Sequence, residues 1–388
     1  MLEEKHLLSP EIISLISVKK NINIEKWTLS NTDLNIDTNF KWSVSKERLK
    51  GGRQEGVDLI KVNNGRMTLT VIPTRGMSIH EVNLDDIRLG WDSPVKEIIN
   101  PHWIHLEDNK GLGWIDGFNE WMVRCGFEFA GHPGMDDDRY LHLHGKIGNI
   151  PASEVEFVID KKPPHSLIIR GMVNEVRPRG PNFELWTEIS TELGSKSFRI
   201  KDSLTNKSLE DQEYMVIYHA NFGPPLLEQG SQFHGTIQKV VPFDKFSAED
   251  VDNWNHYGKP KLKYPEKVYC LYPFKDPSGN ANFIFHNNNV NKAVSFKFPL
   301  EQIPFLNLWK NEDSGLYVTG LEPSTGFPNN RSIERKYSRV PVLKPNGKQN
   351  LIIDYTIHNE AENVDSELKN IRLLCKKNPE LVRSPLEK

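Results

Sequence analysis

Leu316-Tyr317-Val318-Thr319-Gly320-Leu321-Glu322-Pro323-Ser324-Thr325-Gly326-Phe327-Pro328-Asn329-Asn330-Arg331 passes from β-favouring residues straight into Pro, Ser, Thr, Gly and Asn. The pattern predicts a strand that ends at Glu322 and opens into a loop. A strand end is rigid and a loop mouth is open to a ligand. Glu322 is therefore a candidate general base, and the rest of the chain must supply a frame for it and a group opposite it.

The frame reads as antiparallel β-structure. Val57 to Val62, Asn63-Asn64-Gly65 and Arg66 to Ile72 form a hairpin pattern, because Asn and Gly accept the positive φ of a tight turn. Leu167 to Val176, Phe183 to Leu193 and Phe198 to Leu204 alternate in the same way, with turn residues between them. Further strands are predicted at Val268–Phe274, Ala281–His286, Ala293–Phe298 and Asn350–His358. Such meanders imply a sandwich or barrel. Two helices are expected at the ends. Ser9-Pro10-Glu11 has a helix-start pattern with Ile12, Ile13 and Ile16 as its stripe, and Val364, Leu368, Ile371 and Cys375 follow helical spacing. Residues 1–50 read as an N-terminal arm, 51–360 as one β-sandwich domain, and 361–388 as a C-terminal helix and tail.

Composition narrows the function classes. A formal charge of -3 over 388 residues gives no electrostatic reason to bind nucleic acid. No apolar run approaches the roughly 18 residues of a membrane span. Three cysteines, Cys125, Cys270 and Cys375, show no CxxC spacing, which argues against a disulfide framework or a zinc site. Met1-Leu2-Glu3-Glu4-Lys5 lacks the basic, apolar pattern of a secretory leader. A cytoplasmic protein is expected, as a monomer or homodimer, with no nucleic-acid or membrane partner.

Side chains that carry chemistry cluster at strand ends. Arg75 follows the strand that stops at Pro73-Thr74, where it suits either a ligand-binding fork or a surface turn. In Leu141-His142-Leu143-His144-Gly145-Lys146, a strand would put His142, His144 and Lys146 on one face. The His-x-His pair leaves open a metal-dependent sugar isomerase or lyase. Tyr214 to Phe222 is a strand stopped by Gly223-Pro224-Pro225, with Met215, Ile217, His219 and Asn221 on one face. Residues 90–140 are rich in Trp and Phe and read as a site wall or a cap. Asp136-Asp137-Asp138 reads as a solvated turn. Phosphate-loop, dinucleotide-binding and Gly-x-Ser-x-Gly motifs do not occur. Aromatic faces beside planar polar groups suit a sugar, and a carboxylate with a histidine is a general base and acid pair. Such a pair can act at a hemiacetal without a cofactor; no cofactor and no metal is expected, and a sugar-binding protein without catalysis is the other alternative.

Five blocks now appear in order: Ile72-Pro73-Thr74-Arg75-Gly76-Met77, Leu143-His144-Gly145-Lys146-Ile147, Tyr218-His219-Ala220-Asn221-Phe222-Gly223, Trp309-Lys310-Asn311 and Gly320-Leu321-Glu322-Pro323-Ser324-Thr325. Together they resemble the aldose 1-epimerase (galactose mutarotase-like) superfamily, and more closely its DUF4432 branch. The resemblance implies an all-β antiparallel supersandwich with one cleft, acting on a monosaccharide or modified sugar. It implies that Glu322 takes the anomeric hydroxyl proton and that His219 protonates the ring oxygen. Arg75, His144, Lys146, Asn221, Trp309 and Lys310 are the expected substrate-binding set. The superfamily's sugar-binding Asp has no equivalent by context, although Asp244, Asp250 and Asp252 lie in the right interval.

Overall fold

Strict alternation in the middle of the chain sets the architecture. Ser166–Val176 and Asn182–Glu192 bury every second residue and pair antiparallel along their whole length. The computed structural model describes residues 10–34, 36 and 38–388. Two large sheets face each other in it. One has ten strands, with Lys348–His358, Ser197–Asn206, Asn182–Glu192 and Ser166–Val176 near its centre. The other has thirteen, and Phe305–Asp313, Leu316–Ser324, Met215–Phe222 and Met122–Phe127 run side by side through its middle. Both sheets are antiparallel apart from a short parallel pairing of Ile237–Pro242 with Glu380–Leu381. The inner faces close over one apolar core, in which Trp121 packs edge-on against Phe198 and Tyr355 at 5.5 and 5.1 Å. The expected antiparallel β-sandwich is thus present.

The central strands of the larger sheet are buried on both faces. In Met215–Phe222, Val216, Tyr218, Ala220 and Phe222 point into the core between the sheets. Met215 and Ile217 point the other way, into a second cluster with Trp91, Trp114, Phe118 and Val318. The aromatic connection of residues 90–140 therefore covers the outer face of this sheet, and the candidate site lies between the two.

A buried ion pair ties the sheets together beneath that site. Arg124 Nε lies 2.6 Å from Asp202 Oδ2, and both side chains are fully buried. Arg124 also donates to Thr187 Oγ1 and to the Met77 carbonyl, while Tyr218 donates to Asp202. Arg124 stands directly opposite Tyr218 in the ladder, one residue from His219.

Several expectations need correction. Glu11–Ser17 is a strand paired with Glu154–Ile159, not a helix; Ser9 lies outside the described residues. Ile12, Ile13 and Ile16 are stiff β-branched residues that a ladder accommodates better than a helix. Strands of residues 11–48 join both sheets. At the other end Ala361–Leu374 is the expected helix, with Val364, Leu368 and Ile371 packed on Ile284 and Ala293. The strand of Glu322 runs two residues further than read, to Ser324, with Pro323 opposite Leu306. Asp136 is not solvated: it is buried and accepts hydrogen bonds from Arg331 and Arg335.

Candidate active site

Adjacent strands bring an imidazole and a carboxyl group together. His219 comes from Met215–Phe222 and Glu322 from Leu316–Ser324, which pair with each other. His219 Nε2 lies 3.3 Å from Glu322 Oε1, and both side chains are buried. Four rings surround the His219 imidazole: Phe118 at 5.0 Å, His144 at 5.5 Å, Trp309 at 5.6 Å and Trp114 at 6.0 Å between centroids. Trp309 is the half-buried member, and its Nε1 donates to exposed Glu266 at 2.8 Å. A separate surface groove of about 720 Å³, lined by Glu128, Arg139, Glu213 and Arg331, shares none of these residues.

The tautomer of His219 follows from its neighbour. Asn221 Nδ2 donates to the carbonyls of Glu120 and His219, both at 3.1 Å, which fixes the amide's orientation. Asn221 Oδ1 is then an acceptor, 2.7 Å from His219 Nδ1. The ring proton of neutral His219 sits on Nδ1, and Nε2 turns a lone pair toward Glu322. Burial lowers the His219 pKa to about 4. Burial, and secondly the charge of Glu266, raises that of Glu322 well above its ordinary 4.5. Both shifts favour the uncharged forms, a protonated Glu322 and a neutral His219. Burial also lowers His144 well below 6.5, with His219 and His132 adding to the effect.

The other expected site residues divide into two groups. His144 and Trp309 stand against the pair. Asn221 orients His219 and is itself completely buried. Arg75, Lys146 and Lys310 are placed elsewhere. Arg75 is buried, with Nη2 2.8 Å from Glu120 Oε1, and it donates to the Ile99 and Gly117 carbonyls. It pins the segment that carries Trp114 and Phe118. Lys310 points to the opposite face of the sheet from Trp309, donates to the Asn253 and His256 carbonyls, and lies 3.4 Å from Glu312. Burial lowers its pKa. Lys146 is exposed. The stretch containing it is not a strand face: His144 has φ +59°, a left-handed turn held by Gly131 and Gly126. That turn sends His144 inward, while His142 faces Glu107 at 3.7 Å. The two imidazoles do not converge, and no group of three His, Cys, Asp or Glu side chains arranged to hold an ion is found among the described residues. Asp244 caps the helix Lys245–Glu249, Asp250 pairs with Lys267, and Asp252 pairs with Arg383.

Sequence reading missed Glu120 and Glu266. Glu120 is the acid that neutralises Arg75, and its carbonyl also receives Asn221 and Trp91. A charge inside the aromatic run Phe118-Asn119-Glu120-Trp121 was the available signal. Glu266 lies in the polar excursion before Lys267–Pro273, and nothing in its local sequence marks it.

The fold is that of the galactose mutarotase-like proteins. More narrowly, residues 54–357 match the model described as Domain of unknown function (DUF4432), and the chain belongs to that family. A crystal structure from Klebsiella pneumoniae, provisionally named an aldose 1-epimerase, is 34% identical over 98% of this chain and 100% of its own, with a TM-score of 0.95. A galactose mutarotase-like protein from Clostridium acetobutylicum shares the fold at 13% identity, over 86% of this chain and 99% of its own, with a TM-score of 0.53. Galactose 1-epimerase from Lactobacillus acidophilus does so at 12% identity, over 82% and 99%, with a TM-score of 0.52. No curated protein matches the chain significantly.

Proposed function

We propose that the protein is an aldose 1-epimerase-type isomerase that interconverts the anomers of an uncharged monosaccharide through Glu322 and His219. The observation that carries this reading is the 3.3 Å contact between Oε1 and Nε2 inside a ring of aromatic side chains. The anomeric hydroxyl and the ring oxygen share one carbon, so groups this close together can each reach one of them. Transfer of the Glu322 proton to Nε2 leaves a carboxylate and an imidazolium. Glu322 then takes the C1 hydroxyl proton while His219 gives its proton to the ring oxygen and the C1–O bond opens. The aldehyde turns about C1–C2 and recloses on its other face. Ring opening returns the pair to the protonated-acid, neutral-imidazole form that burial favours, which lowers the cost of the open-chain intermediate.

Two unpartnered buried atoms, Trp114 Nε1 and His144 Nδ1, belong to side chains packed around His219 and supply polar capacity for hydroxyl groups. The choice of an uncharged sugar rests on the cations. Arg75, Lys310 and Arg331 are all paired with carboxylates, while Glu266 stands beside Trp309. Polarimetry on freshly dissolved aldoses, with aldose phosphates alongside, tests both points. Acceleration confined to uncharged sugars is expected; a preference for phosphates would overturn the substrate class, and no acceleration of any sugar would overturn the reaction.

Asn221→Ala tests the tautomer argument. Losing the Nδ1 acceptor lets the imidazole turn or change tautomer, and kcat is expected to fall about 10²-fold, a loss typical of one proton-transfer contribution. Arg75→Lys separates scaffold from substrate contact. It is expected to lower the melting temperature while KM changes less than about threefold, because a bidentate-capable fork at a buried carboxylate is lost and no sugar contact is.

A further inference from the structure

Glycine in the centre of a large sheet forgoes packing and loses more backbone entropy than other residues. Gly320 occupies such a place. It lies in Leu316–Ser324, with Trp309 opposite it on one side and Asn221 on the other. Its backbone is ordinary extended strand, so positive φ does not explain the glycine. Space does. A Cβ at Gly320 would stand 2.3 Å from Glu322 Oε1 and 3.3 Å from Trp309 Cβ. Residues 320 and 322 share a face of the strand, and the Glu322 side chain folds back over Gly320 to bring Oε1 to His219.

We infer that Gly320 is a positioning residue: the missing side chain forms the socket that holds the Glu322 carboxyl against His219. The inference rests on the reading that Glu322 is the working acid–base group. A methyl group in the socket would stand on the present position of Oε1, so the carboxyl must turn away from the place in which it meets Nε2. A misplacement of about 1 Å at a reacting group can cost about 10²-fold in rate.

Two measurements on the full chain test this. The first is anomerisation by Gly320→Ala, expected to fall at least about 10-fold in kcat. Glu322→Asp should cost less when added to Gly320→Ala than when made in the wild type, since the shorter acid escapes the methyl. Wild-type kcat in Gly320→Ala, or simple additivity with Glu322→Asp, would overturn the socket. The second needs no substrate. The ¹⁵N resonance of His219 Nε2 is expected to shift in both Gly320→Ala and Glu322→Gln; a resonance unchanged in Gly320→Ala would overturn the socket even if no sugar proves to be a substrate. Gly320→Ala/Glu322→Ala controls for folding. It removes the carboxyl that the methyl would strike, so it should melt with Glu322→Ala. A further drop, as large as the one Gly320→Ala causes in the wild type, would mean that the backbone and not the carboxyl requires glycine, and would contradict the inference.

Discussion

Glu322→Gln is expected to slow anomerisation by about 10²–10⁴-fold and at the same time to raise the melting temperature above neutral pH. The rate loss follows from removing the carboxyl placed against His219. The gain in stability follows from linkage. The folded-state pKa of Glu322 lies well above its ordinary 4.5 because burial penalises the carboxylate. Its contribution to stability is therefore complete below 4.5 and is lost as pH rises through the folded pKa. Glutamine keeps the shape and does not titrate. Wild-type and Glu322→Gln melting curves should converge in acid and separate as pH rises, with the variant higher. His219 has the opposite sign. Its folded pKa of about 4 lies below 6.5, so its contribution is complete above 6.5 and is lost as pH falls from there toward 4. His219→Gln should therefore flatten the acid side of the profile. A Glu322→Gln variant that melts lower than wild type at every pH would contradict the assigned resting state.

Arg124→Met is expected to destabilise the protein by about 3–5 kcal/mol, because it leaves Asp202 as a buried charge without its partner. Folded domains have only about 5–15 kcal/mol in hand, so much of the molecule's stability depends on this pair. Urea unfolding measures the loss. Replacing the network together, as Arg124→Met/Asp202→Leu/Tyr218→Phe, should recover most of it, since apolar groups of similar size need no desolvated partners. A single-variant loss below about 1 kcal/mol would show that the pair does not join the sheets. The strand that bears Tyr218 also bears His219, so Arg124→Met should weaken the site even at temperatures where the protein remains folded.

Periodicity reveals most of this fold because the central strands of the ten-stranded sheet, Ser166–Val176, Asn182–Glu192 and Lys348–His358, alternate between a buried and a more exposed face. The hairpin around Asn63-Asn64-Gly65 and the stripe Val364, Leu368, Ile371 are equally local, and both are present as read. The site is harder to read because its geometry depends on which way each side chain turns. Alternation alone separates Trp309 from Lys310: neighbours on a strand cannot line the same cleft. The left-handed turn at His144 has no equally local signal, and that turn parts His144 from His142 and Lys146. Arg75 lies far along the chain from Glu120, and Arg124 and Asp202 are 78 residues apart, so the sequence presents four separate charges where the fold has two buried pairs. Glu11–Ser17 failed as a helix for a related reason. Its Pro and Glu look like a helix start, while its partner Glu154–Ile159 lies far along the chain.

The most direct measurement is exchange NMR between the α and β anomers of an accepted uncharged aldose, with wild type and Glu322→Gln at equal concentration. The expected result is exchange whose rate grows in proportion to wild-type enzyme and falls by about 10²–10⁴-fold with Glu322→Gln. Equal acceleration by the two proteins would contradict the central claim that Glu322, paired with His219, opens the sugar ring.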